Sequence, residues 1–578
     1  MSIILGLNCN HADSSACIVK DGKLLFAIEE ERINRIKHWA GIPIKSIKEC
    51  LMQSNISADE ITDIAINTNP LSNIRKKTLF FLKNYLFGEK KKEITSRLRN
   101  KINLKNNINK LLISNKLSSN VKVHYIDHHI SHIASAFYPS NYREAIGISI
   151  DGFGDFSSLC VSICKRNEIK VVERVFFPNS LGLFYEAFTQ FIGFKNYGDE
   201  YKVMGLSSYG KPKYYDLILN NIFTSDRKIN LNLKYFNHTD KNFKYKFSGK
   251  PNQNILLSKK IRELINLQNL PSAKLEKEKK NISSSIQKIF EEKLINIILD
   301  SKKLLNSKNL VYSGGCALNS LGNKKIFDGN FFNKIYIPYA PGDGGGSIGA
   351  ALVVAKKKNN MIKFKNLNSP YLGPEYSNSY IKEKITKNKK LSKFNIRFFE
   401  DKKKLHNVIA EKIFQNKIVG YFNSKMEFGP RALGNRSIIA NPCNPKIKDI
   451  INLKIKKREN FRPFAPSIIY EHKKKWFNNQ LHNPYMSSVE SIDEKLRHKI
   501  PGVTHIDGTG RVQTVSKKMN QDFYSLIQSF YSISKVPILL NTSFNENEPI
   551  VMSPDHALEC FLRTKMDILV LNNFVIHR

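Results

Sequence analysis

The sequence predicts an α/β protein of two domains, the first of them internally duplicated. Three observations carry this expectation. With 578 residues the chain exceeds what a single hydrophobic core usually serves. A unit of strand, polar turn and hairpin occurs twice in its first part, over 3–28 and 146–176. Apolar periodicity later fades between two regions that each mix strands with helices, which is how an interdomain linker reads.

The elements follow in order. Residues 3–7 form an apolar strand, and the runs 16–19 and 24–28 flank Asp21-Gly22, a strong signal for a tight hairpin. Residues 79–113 are rich in Lys, Leu and Asn at loose helical spacing and read as surface helices. The second unit opens with strand 146–150 and runs into Asp151-Gly152-Phe153-Gly154-Asp155. It continues from Leu159 through a turn at Arg166-Asn167 to a strand at 169–176. Residues 211 to 300 are again rich in Lys and Asn; their front reads as an insertion, while Ile286, Ile289, Leu294 and Ile298 mark a helix at their end. Two units of strand, glycine turn and helix, 310–319 and 335–351, complete a first domain of residues 1–360. Residues 361–389, punctuated by Pro370, Gly373 and Pro374, form the expected linker. The second domain, 390–578, holds a helix near 405–414 and strands at 418–422 and 568–571, again mixed α/β.

Composition excludes several classes of function. A hydrophobic fraction of 41% and an aromatic fraction of 11% are those of a globular protein, not of a disordered or fibrous one. Eight cysteines without CxxC spacing argue against a disulfide framework and for reduced thiols in the cytoplasm. The N-terminus opens as a strand, without the pattern of a secretory leader, and no run of 18 apolar residues occurs, so no membrane association is expected. The net charge of +42 reads as a chain-wide lysine bias that extends into Lys356, Lys357, Lys358, Asn359 and Asn360, and nucleic acid is not the expected partner. Such a field nevertheless favours phosphate-bearing substrates.

The sharpest local signal is HYIDHHISHIASAF, which holds His124, His128, His129 and His132 among 14 histidines in all. On a helix His128 and His132 share a face and can grip one metal ion, while His129 points elsewhere. Carboxylates at strand ends would complete the set, and Asp151 and Asp343, each beside glycines, are the candidates. Iron, manganese and zinc all suit two imidazoles and two carboxylates. Ser313-Gly314-Gly315-Cys316-Ala317-Leu318-Asn319 and 342–346 each follow a strand and open a helix, geometry that suits nucleotide phosphates, although neither matches a Walker or Rossmann pattern. His11, in the polar loop after the first strand, is placed to act as a base. In the second half Arg431, Arg462 and Arg511 lie beside Gly or Pro in a chain that otherwise prefers lysine, and guanidinium forks suit phosphate and carboxylate oxygens. Asn541, at a strand end, can hydrogen-bond an amide or carbonyl.

Taken in order, GLNCNHADSSACIVKDG, EEERINRIKHWAG, DHHISHIASAFYPS, DGFGD, GDEYKVMGLSSYG, SGGCALN, APGDGGGSIGAAL, FGPRALGNRSI, FRPFAPS and LNTSFNENEPIV resemble the O-carbamoyltransferase family of nodulation proteins and antibiotic-tailoring enzymes. The resemblance spans nearly the whole chain. It implies an N-terminal domain of the actin-like ATPase (ASKHA) type and a C-terminal YrdC-like α/β domain. It further implies that carbamoyl phosphate and ATP, the latter with Mg2+, form carbamoyl adenylate, whose carbamoyl group passes to a hydroxyl of a sugar, glycan or glycosylated metabolite. By the same resemblance His11 is the base. His128, His132, Asp151 and Asp343 hold a divalent metal, Fe2+ in the expectation; Lys37, Gly315 and Asn319 contact ATP or carbamoyl adenylate; Arg431, Arg462, Arg511 and Asn541 hold carbamoyl phosphate. Residues 211–285 match no motif of the family and are where acceptor choice is expected to vary. Three alternatives stay open: a tRNA threonylcarbamoyl transferase, a non-catalytic nucleotide-binding scaffold, and, for assembly, a homodimer.

Overall fold

Apolar runs broken by short polar turns build the sheets of this protein, and a computed structural model describes residues 2–84, 117–118, 120–166, 168–225, 227–240, 243–246, 248–268, 270–478 and 481–578. They form two compact units, Met1–Asn368 and Ser369–Arg578. Of the surface helices expected over 79–113, the helix Ile74–Asn84 is present and the rest of that stretch lies outside the described residues.

In the first unit β1 (Ile3–Asn8), β2 (Ser15–Lys20) and β3 (Lys23–Glu29) form an antiparallel meander, joined by β4 (Asp63–Ile66) and β5 (Lys122–Tyr125) in parallel, giving the order β3-β2-β1-β4-β5. The hairpin between β2 and β3 turns on Asp21 and Gly22, at φ 46° and 78°, the paired left-handed conformation that fits the twist of a two-residue hairpin. A second sheet repeats this arrangement. Its meander is β6 (Glu144–Gly154), β7 (Ser157–Lys165) and β8 (Glu168–Phe176).

A short hairpin, β9 (Tyr245–Lys246) and β10 (Asn252–Gln253), belongs to the 211–285 stretch. Beyond it β11 (Asn309–Ser313) and β12 (Lys334–Tyr336) add in parallel to give the order β12-β11-β6-β7-β8. Four helices serve the site: α1 (His128–Ser140), α2 (Leu181–Phe191), α3 (Ser272–Leu305) and α4 (Gly346–Lys358). Helix α1 packs on β6, β7 and β11, α4 packs on β1, β2 and β4, and the two helices pack on one another. Both β1 and β2 are buried along their length, the pattern of strands covered on both faces.

The second unit is a mixed eight-stranded sheet of order β13-β22-β21-β14-β15-β20-β16-β19. Its strands are β13 (Asn395–Phe398), β14 (Val419–Phe422), β15 (Arg436–Ala440), β16 (Ala465–Ile469), β19 (Gln513–Val515), β20 (Ile538–Ser543), β21 (Ile568–Leu571) and β22 (Phe574–His577); β17 (Glu490–Ser491) and β18 (Thr509–Gly510) pair apart from it. Helices α5 (Lys402–Phe414) and α6 (Gln521–Ser534) pack together. Their buried Leu405, Ile409 and Ile413, and Phe523, Leu526, Ile527 and Phe530, recur at helical spacing, as an apolar stripe facing a core requires. Within 361–389 the chain forms the helix Asn378–Lys387, whose Ile381 and Ile385 join the core of this second unit. No helix among the described residues is long and apolar enough to cross a membrane.

Candidate functional site

Helix α1 begins where two aspartates satisfy its first backbone donors. Asp127 accepts from Ile130 N–H (3.1 Å) and Asp155 accepts from His128 N–H (2.9 Å), which matches the preference for carboxylates at helix N-termini. This fixes the rotation of the first turn and turns His128 and His132, four residues apart, onto one face. Asp151 stands where β6 loses regular pairing with β7. Asp343 opens the short turn Asp343–Gly345 that leads into α4.

The four side chains converge. Nε2 of His132 lies 3.0 Å from Asp151 Oδ2, 3.4 Å from Asp343 Oδ1 and 3.0 Å from Nε2 of His128. His128 Nε2 lies 3.3 Å from Asp151 and 3.5 Å from Asp343. Separations of that size are the edges of a coordination polyhedron with metal–ligand distances of about 2.0–2.2 Å. Two nitrogens at 3.0 Å cannot both donate to each other, whereas both can face a cation. The electrostatics agree. Burial alone would lower the His132 imidazole, but Asp151 and Asp343 outweigh it and push it up to about 9. Against burial, the two imidazoles hold Asp151 well below the usual carboxylate range, while burial and the Asp151 charge hold Asp343 above it. Two imidazole nitrogens and two carboxylate oxygens fit a divalent transition ion.

The second glycine of the DGFGD run serves this packing. A Cβ at Gly154 would overlap the His128 ring, so only glycine lets the strand pass against the imidazole. His129 points the other way, as expected, its ring nitrogens 2.9 Å from Ser149 Oγ and 3.0 Å from Ser157 O. His124 pairs with Asp63 on β5 and β4, at 2.8 Å, and takes no part in the cluster.

His11 stacks obliquely on His128, ring centroids 4.7 Å apart. Its loop is tied to the segment after α-helical Glu30–Asn34 by Asn10 N–H to Gly41 O (3.0 Å) and Ser14 N–H to Trp39 O (2.9 Å). In that segment Lys37 is half-buried beside His38. No spacing rule marks the group around His38. Nδ1 of His38 meets Asp13 Oδ1 at 2.9 Å, its backbone N–H donates to Glu31 (2.7 Å), and Glu31 in turn pairs with Arg32 (2.7 Å). Burial opposes protonation of His38, yet Asp13 and Glu31 push it up to about 9. Gly315 faces the cluster, where a Cβ would stand 2.8 Å from Asp151 Oδ1. Asn319 caps the helix Ser320–Asp328 through Gly322 N–H (2.9 Å), and its amide is paired with Gln287 of α3.

In the second unit Asn541, on β20, donates to Ala432 O (3.3 Å), Ser467 Oγ (3.0 Å) and Gln513 Oε1 (3.0 Å), while its own buried Oδ1 accepts no hydrogen bond among the described residues. Ala432 adjoins Arg431, and Gln513 lies two residues from Arg511, so three of the expected residues gather there. Burial and the Arg431 charge lower the Arg511 guanidinium well below its ordinary value; two cations within each other's field suit an anion between them. Arg462 pairs with Glu459 (3.4 Å), and its carbonyl accepts from Asn452 Nδ2 (3.2 Å). Buried Lys456, which composition hid among 92 basic residues, donates to Asn545 O (2.9 Å) and Oδ1 (2.7 Å) and so braces the loop after β20.

Comparison with known proteins gives two family matches. Residues 3–352 match the model described as carbamoyltransferase N-terminus, and residues 410–578 match carbamoyltransferase C-terminus. The uncharacterized protein sll1178 of Synechocystis is 35% identical over all of this chain and 97% of its own length. Nodulation protein NolNO of Sinorhizobium fredii is 31% identical over 98% of this chain and 79% of its own. The uncharacterized protein MJ1051 of Methanocaldococcus jannaschii is 33% identical over the full length of both.

Proposed function

The chain belongs to the carbamoyltransferase family, and on that premise we propose that it is an ATP-dependent O-carbamoyltransferase acting on a hydroxyl of a sugar, glycan or glycosylated metabolite. In this reading the second unit, with a YrdC-like fold, hydrolyses carbamoyl phosphate with one water to carbamate and phosphate, and the carbamate oxygen displaces pyrophosphate from ATP to give carbamoyl adenylate. Arg431, Arg462 and Arg511 neutralise the phosphate oxygens, and the open Oδ1 of Asn541 accepts from the carbamoyl amide. The first unit, a duplicated actin-like domain, then transfers the carbamoyl group. His11 takes the proton of the acceptor hydroxyl as its oxygen attacks the carbamoyl carbon; the bond from that carbon to the phosphate oxygen breaks, and AMP leaves.

His128, His132, Asp151 and Asp343 would hold a divalent ion, iron by the family resemblance, whose contribution when bound is positive charge against the departing phosphate. Lys37, Gly315 and Asn319 would line the nucleotide side of the same site. The observation that carries the reading is the convergence of two imidazoles and two carboxylates, one of those imidazoles, His128, lying against the His11 ring. It is tested by incubating metal-supplemented, full-length protein with ATP and carbamoyl phosphate. Release of both pyrophosphate and phosphate, each dependent on the other substrate, is the expected result; ATP left intact by folded, metal-loaded protein would overturn it.

A further inference from the structure

Helix α2 is buried except at Gly182, Glu186, Gln190 and its last residue, Phe191. Gly182, Glu186 and Gln190, spaced by four, form one stripe. It begins at the metal cluster, because Ser180 Oγ lies 3.1 Å from Asp151 O and a Cβ at Gly182 would stand 2.8 Å from that same oxygen. From there it runs about 12 Å along the helix to Gln190. The 211–285 stretch covers it. Gln253, on β10, donates to the Glu186 carboxyl, and Leu256 N–H donates to Gln190 Oε1 (2.9 Å). The far end of the same hairpin reaches the His11 side of the site: Gly249 and Ala40 exchange backbone hydrogen bonds, 2.8 Å in each direction, and neighbouring Trp39 holds Ser14 of the His11 loop.

We propose that the β9–β10 hairpin is the acceptor-selecting element, and that Glu186 and Gln253 hydrogen-bond neighbouring hydroxyls of a polyhydroxylated acceptor whose reacting hydroxyl lies at His11. This rests on the transfer reaction proposed above. The chemistry of the pair favours hydroxyls over amines. Burial, with the Glu200 charge second, pushes Glu186 up to about 8, toward the neutral acid that both donates and accepts, as Gln253 does. An acceptor without the matching hydroxyls would part Glu186 from Gln253 without replacing their hydrogen bond, which costs affinity.

The test measures binding apart from turnover. Methyl glucoside, methyl mannoside, N-acetylglucosamine and glucosamine are titrated against the full chain by saturation-transfer NMR, with pyrophosphate release followed separately. The inference expects at least one neutral glycoside to bind, Gln253→Ala and Glu186→Ala to weaken it on the order of tenfold, and Glu186→Gln to restore it to within about threefold, since a neutral amide replaces a neutral acid. Equal binding by wild type and all three variants would overturn the inference while leaving the transfer reaction standing. Binding of glucosamine alone, abolished in Glu186→Gln, would replace hydroxyl recognition by ammonium recognition and overturn it too. A wild type that releases pyrophosphate but binds no sugar of the panel would overturn the acceptor class without touching carbamoyl activation.

Discussion

Substituting Gly154 by alanine should empty the proposed metal site without removing any of its four proposed ligands. A Cβ at this position would stand 2.5 Å from His128 Nε2 and closer to the ring carbons; reaching ordinary contact at 3.4 Å requires Nε2 to retreat by about 0.9 Å. Metal–ligand distances tolerate about 0.2 Å, so the displaced imidazole is lost as a ligand. The accompanying overpacking costs about 1–3 kcal/mol of stability, and metal content at limiting ion should fall at least tenfold, as it does when a ligand's orientation is lost. Gly152→Ala is the matched control, because a Cβ there meets nothing within 4 Å. The assay is bound metal per chain by plasma mass spectrometry after dialysis, with circular dichroism to verify folding. Full metal occupancy in folded Gly154→Ala would refute the packing argument.

Three further outcomes follow from the same contacts. Asp155 accepts from His128 N–H, Asn69 N–H and Thr68 Oγ1, so Asp155→Ala should destabilise the first unit on the order of 2–4 kcal/mol, seen as a lowered thermal midpoint, and Asp155→Asn by less. His38, raised from 6.5 to about 9, contributes stability that is complete below about pH 6.5 and is lost as pH rises through 9; Asp13, lowered by His38 against burial, contributes above its unfolded value near 3.8 and loses that as pH falls. Thermal scans should therefore decline between pH 6.5 and 9 in wild type and flatten in His38→Gln, an effect kept modest by the one-third exposure of both side chains. Arg511→Gln removes a guanidinium from the candidate anion site, and the KM for carbamoyl phosphate in pyrophosphate release should rise about tenfold to a hundredfold, equivalent to a charge-assisted bond of about 1.5–3 kcal/mol.

What could be read from the sequence follows from how local each signal is. Asp21-Gly22 specifies its hairpin through two residues, and His128 and His132 meet because a helix repeats every 3.6. Asp151 and Asp343 were legible as strand-end and turn aspartates flanked by glycine, since a close backbone approach leaves that mark. Asp155 sits in the same DGFGD run, but its partners at Thr68 and Asn69 are more than 80 residues away, and no spacing rule reaches that far. The Asp13–His38 pair, the Glu186–Gln253 contact and the buried Lys456 are likewise tertiary. Each joins residues that look like ordinary surface polar groups until the fold removes water from around them. Arg431, Arg511 and Asn541 stood out singly, but their gathering depends on the order of strands β15, β20, β16 and β19, which the sequence does not announce.

The central claim is tested most directly by X-ray absorption spectroscopy on the iron-loaded, full-length protein. One ion per chain, with two imidazole nitrogens and carboxylate oxygens in its first shell and one imidazole fewer in His132→Ala, is the predicted result. A first shell without imidazole scattering, or one unchanged by His132→Ala, would contradict it.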